Sequence, residues 1–273
     1  MRQSKVATDM PTDRLPRVGL ARRLSKLGFC SRMQGFELVR SGRVAINGKT
    51  QRNPEYPVSA SDAITVDDHR VTASTKLYLM MNKPRGLVTT ASDDKGRPTV
   101  YSLLGSQLPW VAPVGRLDQA SEALLLFTND SDWAASITSP ENHIDKTYHL
   151  QVRAVAHQLL LTALGEGVED KGEILQARRV SFLRGGRKNS WLEIALDEGR
   201  NRHIRRMLTA HRVEVLRLVR ISIGPLALGK LAKGEVRPLT LAEKEMMDCL
   251  LGALPPNSDQ PVTRAKRNRT SRR

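Results

Sequence analysis

The stretch from Val111 to Asp130 reads V-A-P-V-G-R-L-D-Q-A-S-E-A-L-L-L-F-T-N-D, and its reading decides how the rest of the chain is arranged. A single acid, Asp118, follows Gly115-Arg116-Leu117 and precedes an apolar run from Ala123 to Phe127. Gly115 permits a tight turn and Arg116 brings a fixed positive charge. The run Leu124-Leu125-Leu126-Phe127, closed by Thr128-Asn129-Asp130, has the length and punctuation of a buried strand. A carboxylate beside an arginine at the mouth of such a strand can stay charged in a low-dielectric cleft. The same spacing also suits an aspartate that merely caps the next element, which is the commoner fate of a loop carboxylate.

Composition narrows the partners. The 273 residues carry a formal net charge of +16 with ordinary apolar content, so a folded protein facing a polyanion is expected. Nucleic acid comes before membrane as that partner, because no long apolar span is present. Cys30 and Cys249 stand far apart and form no disulfide framework or thiolate metal set. The polar N-terminus has no signal-peptide core, so the cytoplasm is the expected location.

Outward from the central stretch, the N-terminal side turns helical at Arg17. Leu20, Leu24 and Leu27 recur at helical spacing, and Gly28 stands where a terminating glycine belongs. Ser31 with Gln34 has the form of a capping box for a second helix, which carries Phe36, Leu38 and Val39 and ends at Gly42. Arg43 to Lys49 reads as a short strand entering an Asn-Gly hairpin turn, and Ala63 to Val66 as another strand. Arg17, Arg22, Arg23, Lys26, Arg32, Arg40, Arg43 and Lys49 spread across both helices and the hairpin, which favours phosphate binding over a merely solvated face.

Further on, Leu77 to Met81 reads as a strand, Asn82-Lys83-Pro84-Arg85-Gly86 as a turn, and Ser92 to Pro109 as a loop with a short helix that clamps substrate. Asp130 to Thr138 fits a capped helix, Lys146 to Val152 alternates like a strand, and Leu159 to Leu164 suggests a helix. Val180 to Leu183 and Trp191 to Leu196 suggest strands joined by a basic turn. A helix is expected from Asn201, with Arg202, Arg205 and Arg206 on one face, then a buried strand from Val213 to Ile221 and a last helix from Leu241 to Leu251.

G-R-L-D with D-x-x-S-E-x-L-L-x-x-T-N-D resembles the catalytic motif of RNA pseudouridine synthases, in particular the ribosomal-RNA group. The resemblance maps the family's catalytic carboxylate onto Asp118, with Arg116 as a substrate contact. N-K-P-x-G at Asn82 to Gly86 resembles the first motif, and K-x-Y at Lys146 to Tyr148 resembles the second, in which the Tyr148 ring would pack on the target uracil. The run Arg202-His203-Ile204-Arg205 resembles the third, in which Arg205 would pair with Asp118 and Ile204 would lie beside the pocket. The order helix, Ser-Arg, helix, G-R-V-x-I-N-G-K resembles the S4-type RNA-binding domain. Three positions depart from the family: Ala123 where Gly is usual, His203 where Gln is usual, and Met33 where a second Arg is frequent.

The resemblance implies an α+β chain: a small N-terminal S4-type α/β domain plus a catalytic domain on a mixed, mainly antiparallel sheet with a central cleft. The boundaries are a leader over 1–15, the S4-type domain over 16–67, a linker over 68–76, the catalytic domain over 77–252 and a basic tail over 253–273. Asp118, Tyr148 and Arg205 are expected at the chemistry, with Arg116, Lys83, Lys146, Arg202, Ile204 and Arg206 around the substrate. Arg17, Arg22, Arg23, Lys26, Arg32, Arg43 and Lys49 are expected on RNA. No Gly-rich phosphate loop, H-E-x-x-H pair or Cys/His cluster is present, and isomerising a uridine needs no metal or cofactor. Ribosomal RNA, with a preference for the large subunit, is the implied partner of a monomeric enzyme that does not engage a membrane. A non-catalytic RNA-binding assembly factor with the same fold is the competing reading.

Overall fold

A computed structural model describes residues 17–252; the expected leader and basic tail lie outside them. In the N-terminal unit, β1 (Val18–Gly19) leads into α1 (Leu20–Lys26) and α2 (Arg32–Arg40). Then follow β2 (Val44–Ile46), β3 (Lys49–Gln51), β4 (Pro57–Val58), β5 (Ile64–Val66) and β6 (His69–Arg70). Leu20, Leu24, Val39, Val44, Val58 and Ile64 close a core of its own. The α2 start has the expected reciprocal cap: Ser31 Oγ accepts from Gln34 N–H, and Gln34 Oε1 accepts from Ser31 N–H. Asn47 and Gly48 both take positive φ, +50° and +80°, the mirror-image turn that matches strand twist and joins β2 to β3.

The stretch expected as a linker, 68–76, is held at both ends. His69–Arg70 extends the small sheet by pairing with β5. Ser74 then donates its N–H and hydroxyl to Leu27 O, and Asn129 of the larger unit donates to Ser74 Oγ and Thr75 O while accepting from Leu77 N–H. Gly28 is required here twice over: its φ is +74°, and a Cβ would lie 2.1 Å from Ser74 Oγ.

The larger unit is built on β7 (Tyr78–Lys83), β8 (Ala112–Val114), β9 (Glu122–Thr128), β10 (Lys146–Val152), β13 (Arg179–Gly185), β14 (Ser190–Leu196), β15 (Val215–Ile223), β16 (Leu226–Ala227) and β17 (Val236–Pro238). A separate hairpin, β11 (Val168–Asp170) with β12 (Glu173–Leu175), stands outside this sheet. The helices are α3 (Ser131–Thr138), α4 (Gln158–Glu166), α5 (His203–Ala210) and α6 (Leu241–Leu250). The nine strands run in the order β13-β14-β10-β15-β9-β7-β17, with β16 on β15 and β8 on β9. Every pairing is antiparallel except β9 with β15. The mixed, mainly antiparallel sheet is thus as expected.

β9 is buried along its whole length because both faces are covered, which is why it reads as a continuous apolar run. Leu124 and Leu126 enter one core with Trp133, Ile137 and Met247, whereas Leu125 and Phe127 enter another with Leu79, Met81 and Val111. A third core, under α4 and α5, holds Leu150, Leu192, Ile194, Met207 and Leu208. Two boundaries differ from the sequence reading in ways that matter. β7 continues to Lys83 because its ladder with β9 runs through Asn82↔Leu124 to Lys83↔Ala123. The helix expected from Asn201 begins at His203, since Arg202 is left-handed at φ +50° and caps it without a side-chain bond.

Ala123 has φ +83° inside a strand, a conformation that costs an L-residue about 1–2 kcal/mol. Replacement by Gly relieves that strain but loses about 0.8 kcal/mol of methyl burial and about 0.5–1 kcal/mol of backbone entropy. The terms nearly cancel. Ala123→Gly should therefore shift the urea-unfolding free energy by no more than about 0.8 kcal/mol, while Ala195→Gly, an equally buried strand alanine, should cost about 1.5 kcal/mol. Equal losses at both positions would show that Ala123 carries no strain.

Candidate active site

Asp118, Tyr148 and Arg205 line one cleft of about 470 Å³ between α5 and the sheet. A hollow of about 670 Å³ lies beside it, near Arg178 and Arg179, and shares only Glu198 and Arg200 with the cleft. The larger space contains none of those three groups, so size does not mark the site.

The loop that carries Asp118 is held by its carbonyls. Leu117 O accepts from the Thr89 hydroxyl at 2.7 Å, and that hydroxyl in turn accepts from Leu117 N–H. Asp118 O accepts from Lys83 Nζ at 3.2 Å and from Ser121 N–H at 3.0 Å. Gln119 O accepts from Gly86 N–H at 2.8 Å, Ala120 O from Arg205 Nη2 at 3.4 Å, and Ser121 O from Lys83 Nζ at 2.8 Å. All five consecutive carbonyls are thereby engaged. The Asp118 carboxylate, by contrast, makes no hydrogen bond or ion pair among the described residues, and it faces the cleft half-buried. A rigid backbone presenting a free carboxylate is what a preorganised site requires.

Tyr148 lies on β10 directly between Ile194 of β14 and Arg220 of β15. Directly opposed residues share a face, so its ring belongs to the cleft side with Ile204, which is 3 % exposed. Lys146 sits two positions along on the same face, and burial, reinforced by the Arg220 charge, lowers its pKa.

A family model described as RNA pseudouridylate synthase matches residues 77–210, and one described as S4 domain matches residues 18–64. The chain is 34% identical over 229 residues to ribosomal large subunit pseudouridine synthase B of Bacillus subtilis, covering 83% of this chain and 94% of that protein. It belongs to the RNA pseudouridine synthase family. An uncharacterized RNA pseudouridine synthase of Aquifex aeolicus is 35% identical across 81% of this chain and 89% of its own length. A solved pseudouridylate synthase superposes with a TM-score of 0.60 at 29% identity, covering 84% of this chain and 99% of that one.

Within the family frame, several side chains stand elsewhere than the motifs suggested. Arg205 does not pair with Asp118: its guanidinium donates to the carbonyls of Ala120 and Val215, and burial lowers its pKa against the pull of the Asp118 charge. Lys83 has no access to substrate, being fully buried under the loop with its ammonium on the carbonyls of Pro84, Asp118 and Ser121. Arg206 turns away from the cleft to Asp170 and Glu173, binding α5 to the β11–β12 hairpin. Arg116 and Arg202 are exposed at the cleft mouth. His203 is buried with neither ring nitrogen hydrogen-bonded among the described residues, its Nδ1 3.7 Å from Glu198, and burial lowers its pKa.

Two residues escaped the sequence reading. Arg220 is 5 % exposed, lines the cleft and donates through Nε to Leu124 O. The signal was there: a charged residue inside a run otherwise read as a buried strand. Glu122 points away from the site, clamped between Arg217 at 3.0 Å and Lys233 at 2.6 Å. Glu122 thus tethers β9 to β15 and to the chain before β17.

In the N-terminal unit, Lys26 is committed to Asp132 of the larger unit at 2.9 Å, and Arg43 is paired with Asp67. Arg17 is exposed and Arg23 half-buried, while Arg22, Arg32 and Lys49 are exposed with no ion pair among the described residues.

Burial pushes the Lys83 ammonium down to about 8. Loss of its proton removes a donor from the Asp118 loop, so turnover should fall as pH rises through that value. Global stability should not fall with it: between that value and the free-lysine pKa the unfolded chain binds more protons, so stability rises with pH. A pH–rate profile flat to pH 9.5, with an unchanged melting curve, would refute the role of this ammonium. Lys83→Met should strand the Pro84 and Ser121 carbonyls at about 1–3 kcal/mol each, leave Asp118 O with Ser121 N–H alone, and abolish the high-pH limb together with most activity.

Proposed function

We propose that this chain converts a specific uridine of ribosomal RNA to pseudouridine, with Asp118 as the catalytic carboxylate, and that large-subunit RNA is its substrate. The observation that carries the reading is the unengaged Asp118 carboxylate held on a fully braced loop, in a cleft shared with Tyr148 and Arg205. The printed name of the Bacillus subtilis relative supports the large-subunit preference. Acting as a monomer in the cytoplasm completes the reading.

The reaction breaks the bond between ribose C1′ and uracil N1, turns the base, and joins C5 to the same C1′. Asp118 acts on the ribose as nucleophile at C1′ or as base toward the C2′ proton. The Tyr148 ring supports the extruded uracil; such stacking is worth about 1–3 kcal/mol and offsets part of the unstacking cost. Ile204 closes the apolar side, and Lys146 lies deeper in the cleft. Arg205 serves the reaction by holding Ala120 and facing the acid. Arg116 and Arg202 meet phosphates at the mouth. The N-terminal unit docks RNA through backbone contacts that carry little sequence information.

Tritium release from RNA labelled at uracil C5, run on each ribosomal RNA, tests the activity. Asp118→Asn should lower turnover at least about 1000-fold with RNA affinity nearly unchanged; loss of both together would mark a structural aspartate and favour the assembly-factor reading. Tyr148→Phe should be mild and Tyr148→Ala severe. The combined Arg22→Gln, Arg32→Gln, Lys49→Gln variant should flatten the log–log salt dependence of binding by about 2, roughly 0.7 per phosphate contact. The Lys26→Gln, Arg43→Gln pair should change it much less, because both cations already have carboxylate partners.

A further inference from the structure

Arg220 is the charged group in the cleft whose burial the fold leaves least explained. Its Nε donates to Leu124 O at 2.7 Å, while Nη2 is buried with no partner, and no carboxylate among the described residues lies within ion-pairing distance. A buried cation is normally neutralised by an acid, since an uncompensated one costs several kcal/mol. Lys83 and Lys146 also stand close enough for their proton affinities to feel the Arg220 charge, although Asp118 and Glu122 pull the other way on Lys83 and Asp197 and Asp145 on Lys146. A positive floor maintained at such a cost implies that negative charge arrives with the ligand.

Its position says which charge. Arg220 and Tyr148 are directly opposed on β15 and β10, on the face that lines the cleft, so a base resting on the Tyr148 ring lies against Arg220. A backbone phosphate belongs higher up, where Arg116 and Arg202 are exposed. On the proposed reaction, heterolysis of C1′–N1 leaves the electron pair on N1, spread over the uracil carbonyl oxygens O2 and O4. Asp118 either bonds to C1′ or takes the C2′ proton. When C5 attacks C1′, the pair returns to form the new bond, Asp118 is displaced from C1′ or gives its proton back to C2′, the C5 proton departs, and N1 is protonated. No external oxidant or reductant enters.

We infer that Arg220 is a further catalytic residue, one that stabilises the negative charge on the departing uracil. This inference rests on the proposed isomerase reading. Its effect belongs to the bond-breaking step, not to binding, because the charge exists only after that step begins.

The experiment compares the full-length chain with Arg220→Gln and Arg220→Lys in single-turnover reactions. The substrate is the ribosomal RNA on which the unmodified chain is active, transcribed with uridine or with 5-fluorouridine, and the readout is loss of the target nucleoside from nuclease digests. Fluorine makes the departing anion less basic, so it lessens the need for a positive partner. Arg220→Gln should slow the uridine substrate about 100-fold with filter-binding affinity unchanged. On the 5-fluorouridine substrate the deficit should shrink to about 10-fold or less. Arg220→Lys, which keeps the charge, should recover most of the rate. Equal deficits on both substrates, a loss confined to affinity, or a well-folded Arg220→Lys as slow as Arg220→Gln would each overturn the inference. An unmodified chain inert on every ribosomal RNA would overturn the isomerase reading itself and this role with it, whereas an active chain indifferent to Arg220→Gln would overturn this role alone.

Discussion

A fully buried ammonium is the constraint on which the site depends. Lys83 ends a central strand and places its charge under the Asp118 loop, where the carbonyls of Pro84, Asp118 and Ser121 replace its lost hydration. Burying a lysine is costly unless its donors are filled, and filling them from its own turn and the Asp118 loop converts that cost into rigidity. Thr89, Gly86 and Arg205 take the remaining carbonyls, so no freedom is left in the backbone on either side of the acid. Of this loop's polar groups, the carboxylate is left without a protein partner among the described residues and stays open to the cleft.

The same logic of exchanged hydration runs through the rest of the cleft. Lys146, Arg205 and Arg220 line the cleft with Asp118 and Glu198, Lys83 lies buried beneath the Asp118 loop, and burial depresses the proton affinity of both lysines. An excess of positive charge in a closed space suits a polyanionic ligand and a base that becomes negative as it leaves. Elsewhere cations are spent on architecture: Arg206 on the outer hairpin, Arg217 and Lys233 on Glu122, Lys26 on the join between the two units. With Ser74 and Asn129 fixing the linker, the N-terminal unit is braced against the catalytic unit, which suits a module that sets the register of RNA over a cleft.

Much of this was legible from local pattern. The capping box at Ser31, the Asn47-Gly48 turn, the terminating Gly28 and the apolar run of β9 each encode structure through neighbours a few residues apart. Asp118, singled out from its motif, also lines the cleft, and Tyr148 and Ile204 fell on it because strand alternation and helical spacing are local properties. Glu122 was visible as a residue, but its two cationic partners lie 95 and 111 positions away.

The amino-acid order by itself determined which residue types line the cleft, that the chain joins a basic module to a larger α+β unit, and that its partner is a polyanion. Tertiary structure alone decided what each cation does. Lys83, Arg205, Arg206 and Arg220 look alike in a string of letters, as four positive charges near recognised motifs. Their fates diverge because burial and the nearest acceptor, both set by strands distant in sequence, determine whether a charge braces a backbone, closes an ion pair or waits for a ligand.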